Sequence, residues 1–128
     1  MKNQAVIGLG SNIDPQANIE KARLLLRENF RVLGESDFIQ TKPIGYTQQD
    51  DFINGSVHIE TDLSREELTQ RLKLLEQTLE RKRSEIKSGP RTIDLDVIVF
   101  NKTVVDQDFY ERDFLKKSVL QLIPNLDY

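Results

Sequence analysis

Between Ile93 and Phe100 the chain reads Ile-Asp-Leu-Asp-Val-Ile-Val-Phe. Successive side chains of a strand point to opposite faces, so Ile93, Leu95, Val97 and Val99 fall on one face. Asp94 and Asp96 fall together on the other. Two carboxylates this close repel one another unless a cation sits between them. Oxygen ligands with no Cys or His alongside suit Mg²⁺, which takes one or two carboxylates plus substrate phosphates. The competing reading is a wet sheet face whose aspartates pair with Lys or Arg.

The stretch just before it favours phosphate chemistry. Arg81 to Arg91 holds five basic residues and one acid and ends in Gly89-Pro90-Arg91. Such an arm can fold over a triphosphate, with Arg91 fixed by the Gly-Pro turn. Its plain alternative is a solvated helix end rich in Lys and Arg, which the helix dipole favours.

Periodicity supplies the remaining elements. Ala5 to Leu9 is a short apolar strand ended by Gly10-Ser11-Asn12. Asp14-Pro15 predicts a helix cap followed by proline at the first helical position. Ile19, Ala22, Leu25, Leu26 and Phe30 follow at helical spacing. Val32, Gly34, Ser36 and Phe38 are expected on one side of a second strand, and Lys42 to Asp51 is a polar loop. Ile53, Gly55, Val57 and Ile59 alternate along a third strand. Ser64 with Glu67 forms a capping box, and Leu68, Leu72, Leu75 and Leu79 stripe a second helix. Val104-Val105 reads as a short extra strand, and Glu111 to Ile123 as a short helix. The order β-α-β-β-α-β predicts an α+β, ferredoxin-like fold, an antiparallel sheet with its helices packed on one face. No repeat or linker divides the 128 residues, so one domain, 1–128, is expected.

Bulk properties exclude several classes. A net charge of −3 argues against a general nucleic-acid binder. With no cysteine, thiol catalysis and zinc–thiolate sites are ruled out. No apolar run reaches the length of a membrane helix, and Met1 leads almost directly into a strand, so a cytoplasmic protein without membrane contact is expected. Gly8-Leu9-Gly10-Ser11-Asn12 lacks the third glycine of a dinucleotide fingerprint, and no Walker lysine motif is present. Phe52 and Asn54 share one strand face and offer a stacking ring and an amide for a flat heteroaromatic ligand. A core Phe and a turn Asn is the alternative. His58, the only histidine, is given no role.

These residues together resemble the 6-hydroxymethyl-7,8-dihydropterin pyrophosphokinase (HPPK) family, of which the chain looks like a short variant. The resemblance rests on Gly10-Ser11-Asn12, Thr41-Lys42-Pro43-Ile44-Gly45, Phe52-Ile53-Asn54 and the full Gly89-Pro90-Arg91-Thr92-Ile93-Asp94-Leu95-Asp96 signature. Glu111-Arg112-Asp113-Phe114 and Leu122-Ile123-Pro124-Asn125-Leu126 extend it. It implies transfer of pyrophosphate from ATP to the pterin hydroxymethyl group, giving AMP, in folate biosynthesis. By the same resemblance, Asp94 and Asp96 ligate two Mg²⁺ ions, and Arg81, Arg83 and Arg91 contact phosphates. Glu76 and Lys87 lie on the nucleotide side, and Arg112 lies near the transferred group. Thr41, Pro43, Ile44, Phe52, Asn54 and Phe114 surround the pterin, with Phe52 and Phe114 stacking on its two faces. The implied partners are pterin and ATP, acting on a monomer.

The chain departs from the family between the aspartate strand and Arg112. Val104 to Tyr110 is shorter than usual and lacks the Pro-His-Pro-like segment. A basic residue expected there has no counterpart unless Lys102 serves. Lys87 stands where an arginine is usual, and lysine does not make bidentate phosphate contacts. Two rival readings follow. One is a non-catalytic pterin- or nucleotide-binding homologue with a degenerate ATP site. The other, an RNA-binding module of the same fold, is opposed by the acidic charge.

Overall fold

The apolar run near the start of the chain becomes the central strand. Ala5, Ile7 and Leu9 face one side and Val6 the other, and none is more than 3% exposed, so this strand is covered on both faces. The computed structural model describes residues 2–79 and 92–128. Within them lie β1 (Asn3–Ser11), α1 (Pro15–Asn29), β2 (Arg31–Glu35), β3 (Ile39–Thr41) and β4 (Phe52–Thr61). After these come α2 (Arg65–Thr78), β5 (Asp94–Phe100), β6 (Thr103–Val104), α3 (Asp108–Glu111) and α4 (Asp113–Leu122). The sheet runs β2-β4-β1-β5-β6, with β3 also on β4, and every pairing is antiparallel.

Helices cover both faces. Ile19, Ala22 and Leu26 of α1 and Leu68, Leu72 and Leu75 of α2 pack on Ile7, Leu9, Val57, Ile59 and Leu95. Phe109 of α3 and Val119 of α4 pack on Val6, Ile98 and Val99 across the sheet. The expectation of helices on one face therefore holds for the two long helices only. The expected helix from Glu111 to Ile123 is split as well. Arg112 is extended (φ −122°, ψ 105°) and separates α3 from α4.

Local signals set several boundaries. Ser64 Oγ accepts from the Glu67 amide at 3.2 Å, and Glu67 Oε1 accepts from the Ser64 amide at 3.0 Å, completing the capping box of α2. Asp14 does precede α1, but its carboxylate caps nothing. It sits in the left-handed region (φ 40°), and its carbonyl accepts from the Asn18 amide instead.

Strict alternation fails in two strands, each time at a bulge. Val6 lies opposite Val99 and Ile7 opposite Val97, which makes Ile98 an extra residue on β5. An extra residue shifts the phase of all that follows. Val99 thus joins Val6 beneath α4, not Leu95 as alternation predicts. On β2, Val32 lies opposite Ile59 and Gly34 opposite His58, leaving Leu33 extra. Val32 packs toward α1 and α2, whereas Gly34 faces Leu122 of α4, so the four residues expected on one face are divided. The polar stretch Lys42 to Asp51 forms neither helix nor strand, as expected. Among the described residues no helix is long and apolar enough to cross a membrane.

Candidate active site

Three neighbouring strands bring their polar residues into rows. Gly10 lies opposite Asn54 on one side and Asp94 on the other; Gly8 lies between Ser56 and Asp96. Paired residues in an antiparallel sheet point to the same face. Gly10, with Gly8 beneath the Ile98 and Leu115 side chains, forms the floor between Asn54 of β4 and the carboxylates of β5. A Cβ on Gly10 would stand 2.8 Å from Asn54 Oδ1, so only glycine leaves that amide where it is.

Above this floor a cleft of about 720 Å³ opens. Phe52, Asn54, Asp94 and Asp96 line it from the sheet, Thr41, Lys42 and Ile44 from the loop after β3, and Asp108, Arg112, Phe114, Leu115 and Ser118 from the C-terminal helices. The Asn54 side-chain amide donates to Thr41 Oγ1, which orients it within the cleft. Arg112 Nε lies 4.0 Å from Asp108 Oδ1. The extended backbone at Arg112 leaves Phe114 in the first turn of α4, and both residues line the cleft.

The Gly-Ser-Asn end of β1 frames the cleft through its side chains. Ser11 Oγ donates to the Thr92 carbonyl at the entry to β5. Asn12 Nδ2 donates to Gln49 Oε1 at 2.8 Å and to the Asp50 carbonyl at 3.0 Å, pinning the polar loop that carries Ile44. Both side chains are buried.

Glu76, on α2 and 6% exposed, accepts a 2.7 Å hydrogen bond from the Leu95 amide. β6 pairs with Val99 and Phe100, so among the described residues this part of β5 has no strand on its outer side, and the carboxylate takes the amide. A smaller groove runs along that edge beside Thr69, Lys73 and Glu76 and shares Asp94 and Asp96 with the main cleft.

Of the residues expected from sequence, Thr41, Ile44, Phe52, Asn54, Asp94, Asp96, Arg112 and Phe114 open into one cleft, and Glu76 lies behind it. Pro43 is half-buried between two lining residues but does not line the cleft itself. Arg81, Arg83, Lys87 and Arg91 lie outside the described residues. Lys102 occupies the two-residue turn between β5 and β6 with φ 70°, at the far end of β5 from Asp94, and does not line the cleft. His58 pairs with Gln4 Oε1 at 3.1 Å, its pKa lowered by burial, and takes no part in the cleft. Sequence reasoning missed Lys42, Asp108, Thr69 and Lys73. For Thr69 and Lys73 a signal existed, since spacings of four and three set Thr69, Lys73 and Glu76 along one side of a helix.

Together these features define a mixed α/β protein with an acidic, aromatic-lined cleft on an antiparallel sheet. The family model of 7,8-dihydro-6-hydroxymethylpterin-pyrophosphokinase (HPPK) matches residues 6–124, and the chain belongs to that family. It is similar to the 2-amino-4-hydroxy-6-hydroxymethyldihydropteridine pyrophosphokinase of Bacillus subtilis (strain 168), 33% identical over 138 positions covering 99% of this chain and 82% of that protein. The Helicobacter pylori protein of the same name is 33% identical over 83% of this chain and 68% of its own length. The Schizosaccharomyces pombe "Folic acid synthesis protein fol1" is 34% identical over 95% of this chain but only 18% of that protein, so there the match is to one part of a longer protein.

Proposed function

We propose that this protein transfers the β,γ-pyrophosphoryl group of ATP to the hydroxymethyl oxygen of 6-hydroxymethyl-7,8-dihydropterin, releasing AMP, as a step of folate biosynthesis. The observation that carries the reading is convergence. Asp94 and Asp96 open into the same cleft as Phe52, Asn54 and Phe114. A flat heteroaromatic ring fits between aromatic side chains, and its polar edge pairs with an amide and hydroxyl such as Asn54 and Thr41.

The donor set suits magnesium. Asp94 and Asp96 are hard oxygen ligands on one strand face. Among the described residues no cluster of three or more His, Cys, Asp or Glu is present. Mg²⁺ sites completed by substrate phosphates have this composition. Bound there, Mg²⁺, two ions in this reading, would neutralise charge on the transferring phosphates.

The chain's own residues do the rest. Phe52 and Phe114 hold the pterin ring on its two faces, and Thr41 with Asn54 fixes its rotation so that the hydroxymethyl oxygen faces the β-phosphorus. Ile44 closes the ring's edge, with Pro43 shaping the loop that carries it. Arg112 brings positive charge to the transferred group. Arg81, Arg83, Lys87 and Arg91 supply cations along the triphosphate, and Glu76 keeps the aspartate strand in place from the nucleotide side. Such transfers depend on positioning and charge neutralisation more than on covalent chemistry. A non-catalytic pterin- or nucleotide-binding homologue is the weaker reading, since both carboxylates and Arg112 share the cleft with the pterin set.

In this reading residues 1–128 act as one ferredoxin-like domain, supported by the strand order and the two long helices on one face. The protein works as a cytoplasmic monomer. The test is AMP release by the purified protein with Mg·ATP, with and without the pterin. AMP formed only with pterin is expected; none at millimolar Mg·ATP would overturn the assignment.

A further inference from the structure

Ser56 and Ser118 are buried and face one another across the sheet–helix boundary, their hydroxyl oxygens 2.7 Å apart. Ser118 Oγ also lies 2.9 Å from the Leu115 carbonyl, which accepts when Ser56 is the donor of the pair; either hydroxyl can donate. Farther along α4, Gln121 and Asp37 make a second, two-point tie. The Asp37 amide donates to Gln121 Oε1 at 2.9 Å, and Gln121 Nε2 donates to Asp37 Oδ2 at 3.0 Å.

The hydroxyl pair occupies a particular place in the cleft. Ser118 stands four residues after Phe114, on the same side of α4. Ser56 stands two residues after Asn54, on the same face of β4. Helix and strand are thus held together at the Ser56–Ser118 rung, while Phe114 and Asn54, about 6 Å farther along the helix and about 7 Å farther along the strand, line the cleft between them. Ser118 lines the same cleft, on the side where the rung ties the helix to the sheet.

We propose that Ser118, held by Ser56, is a positioning residue that sets the width of the slot between Phe114 and the sheet. It acts through Phe114 and Arg112 and touches no reacting atom. The proposal rests on the pterin reading above for its consequence on binding, but not for its consequence on the helix. A helix docked by apolar contacts alone can slide; a buried hydroxyl pair at 2.7 Å fixes one register and leaves an unsatisfied group if it is broken.

The experiment compares wild type, Ser118→Ala and Ser118→Thr by hydrogen exchange without ligand and by calorimetry with 6-hydroxymethyl-7,8-dihydropterin in the presence of a non-hydrolysable Mg·ATP analogue. In Ser118→Ala the amides of residues 113–117 should exchange about tenfold faster. Pterin affinity should fall about fivefold with nucleotide affinity unchanged. Ser118→Thr, which keeps the hydroxyl, should restore both. In a Phe114→Ala background the Ser118→Ala loss of pterin affinity should vanish. Unchanged exchange at 113–117, or an equal loss in the Phe114→Ala background, would overturn the proposal. Faster exchange in a protein whose wild type binds no pterin would uphold the docking role and refute the pterin reading instead.

Discussion

Glu76 holds the amide of Leu95, the residue between the two cleft aspartates, at 2.7 Å from a buried carboxylate on α2. The bond joins the second helix to the strand that carries Asp94 and Asp96, beyond the reach of β6, which pairs with Val99 and Phe100. Replacing Glu76 with Ala leaves a buried amide without its partner, which costs about 1–3 kcal/mol. Urea unfolding should show this loss, and turnover should fall along with it.

Asp96 differs in kind, since it is exposed at the cleft floor. Exposed substitutions usually change stability by no more than about 0.5 kcal/mol. Asp96→Ala should therefore unfold at nearly the wild-type urea midpoint while losing Mg²⁺-dependent AMP release. Wild-type turnover in this variant would remove Asp96 from the metal site.

Gly55 tests how tightly β4 is packed. A Cβ there would stand 2.5 Å from the Phe38 ring, which is itself covered by the Arg23 guanidinium at 4.4 Å. The ring cannot retreat without giving up that contact. Gly55→Ala should destabilise the protein by about 1–3 kcal/mol, read as a lower denaturation midpoint.

Glu35 anchors β2 to α1, accepting from Arg23 Nε at 2.7 Å and from Arg27 at 3.0 Å. Burial works to raise its pKa, but the hydrogen bonds and charges of Arg27 and Arg23 outweigh it and hold the carboxyl below its ordinary value. A depressed carboxyl pKa contributes stability above the unfolded-state value, about 4.3, and loses it as pH falls through the folded-state value. Glu35→Gln should thus be less stable than wild type by about 0.5–1 kcal/mol at pH 7. The gap should close as pH falls below about 4. A gap that persists at pH 3 would mean the glutamate acts by packing, not by charge.

Ser64 gives a local control. Ser64→Ala removes the acceptor for the Glu67 amide and should cost about 1 kcal/mol in thermal or urea unfolding, with pterin affinity unchanged.

Much of this site was legible in order along the chain. The alternation from Ile93 to Val97 put both aspartates on one face, the two-residue spacing put Phe52 with Asn54, and Ser64 with Glu67 marked the start of α2. These are short-range facts, fixed by strand and helix periods within a few residues. What lay beyond them needed the tertiary structure. Val99 changes face because Ile98 is accommodated as a bulge against Val6 and Ile7, and a bulge is set by the packing of two strands distant in sequence. Arg112 and Phe114 share a cleft with the aspartates only because α4 covers the sheet face opposite α1 and α2. The Glu76–Leu95 and Ser56–Ser118 bonds join residues whose separation no periodic pattern records. The sequence by itself determined which residues share a face, because that is local backbone geometry. Only the tertiary structure decided which faces meet, because that depends on burying apolar surface on both sides of one sheet.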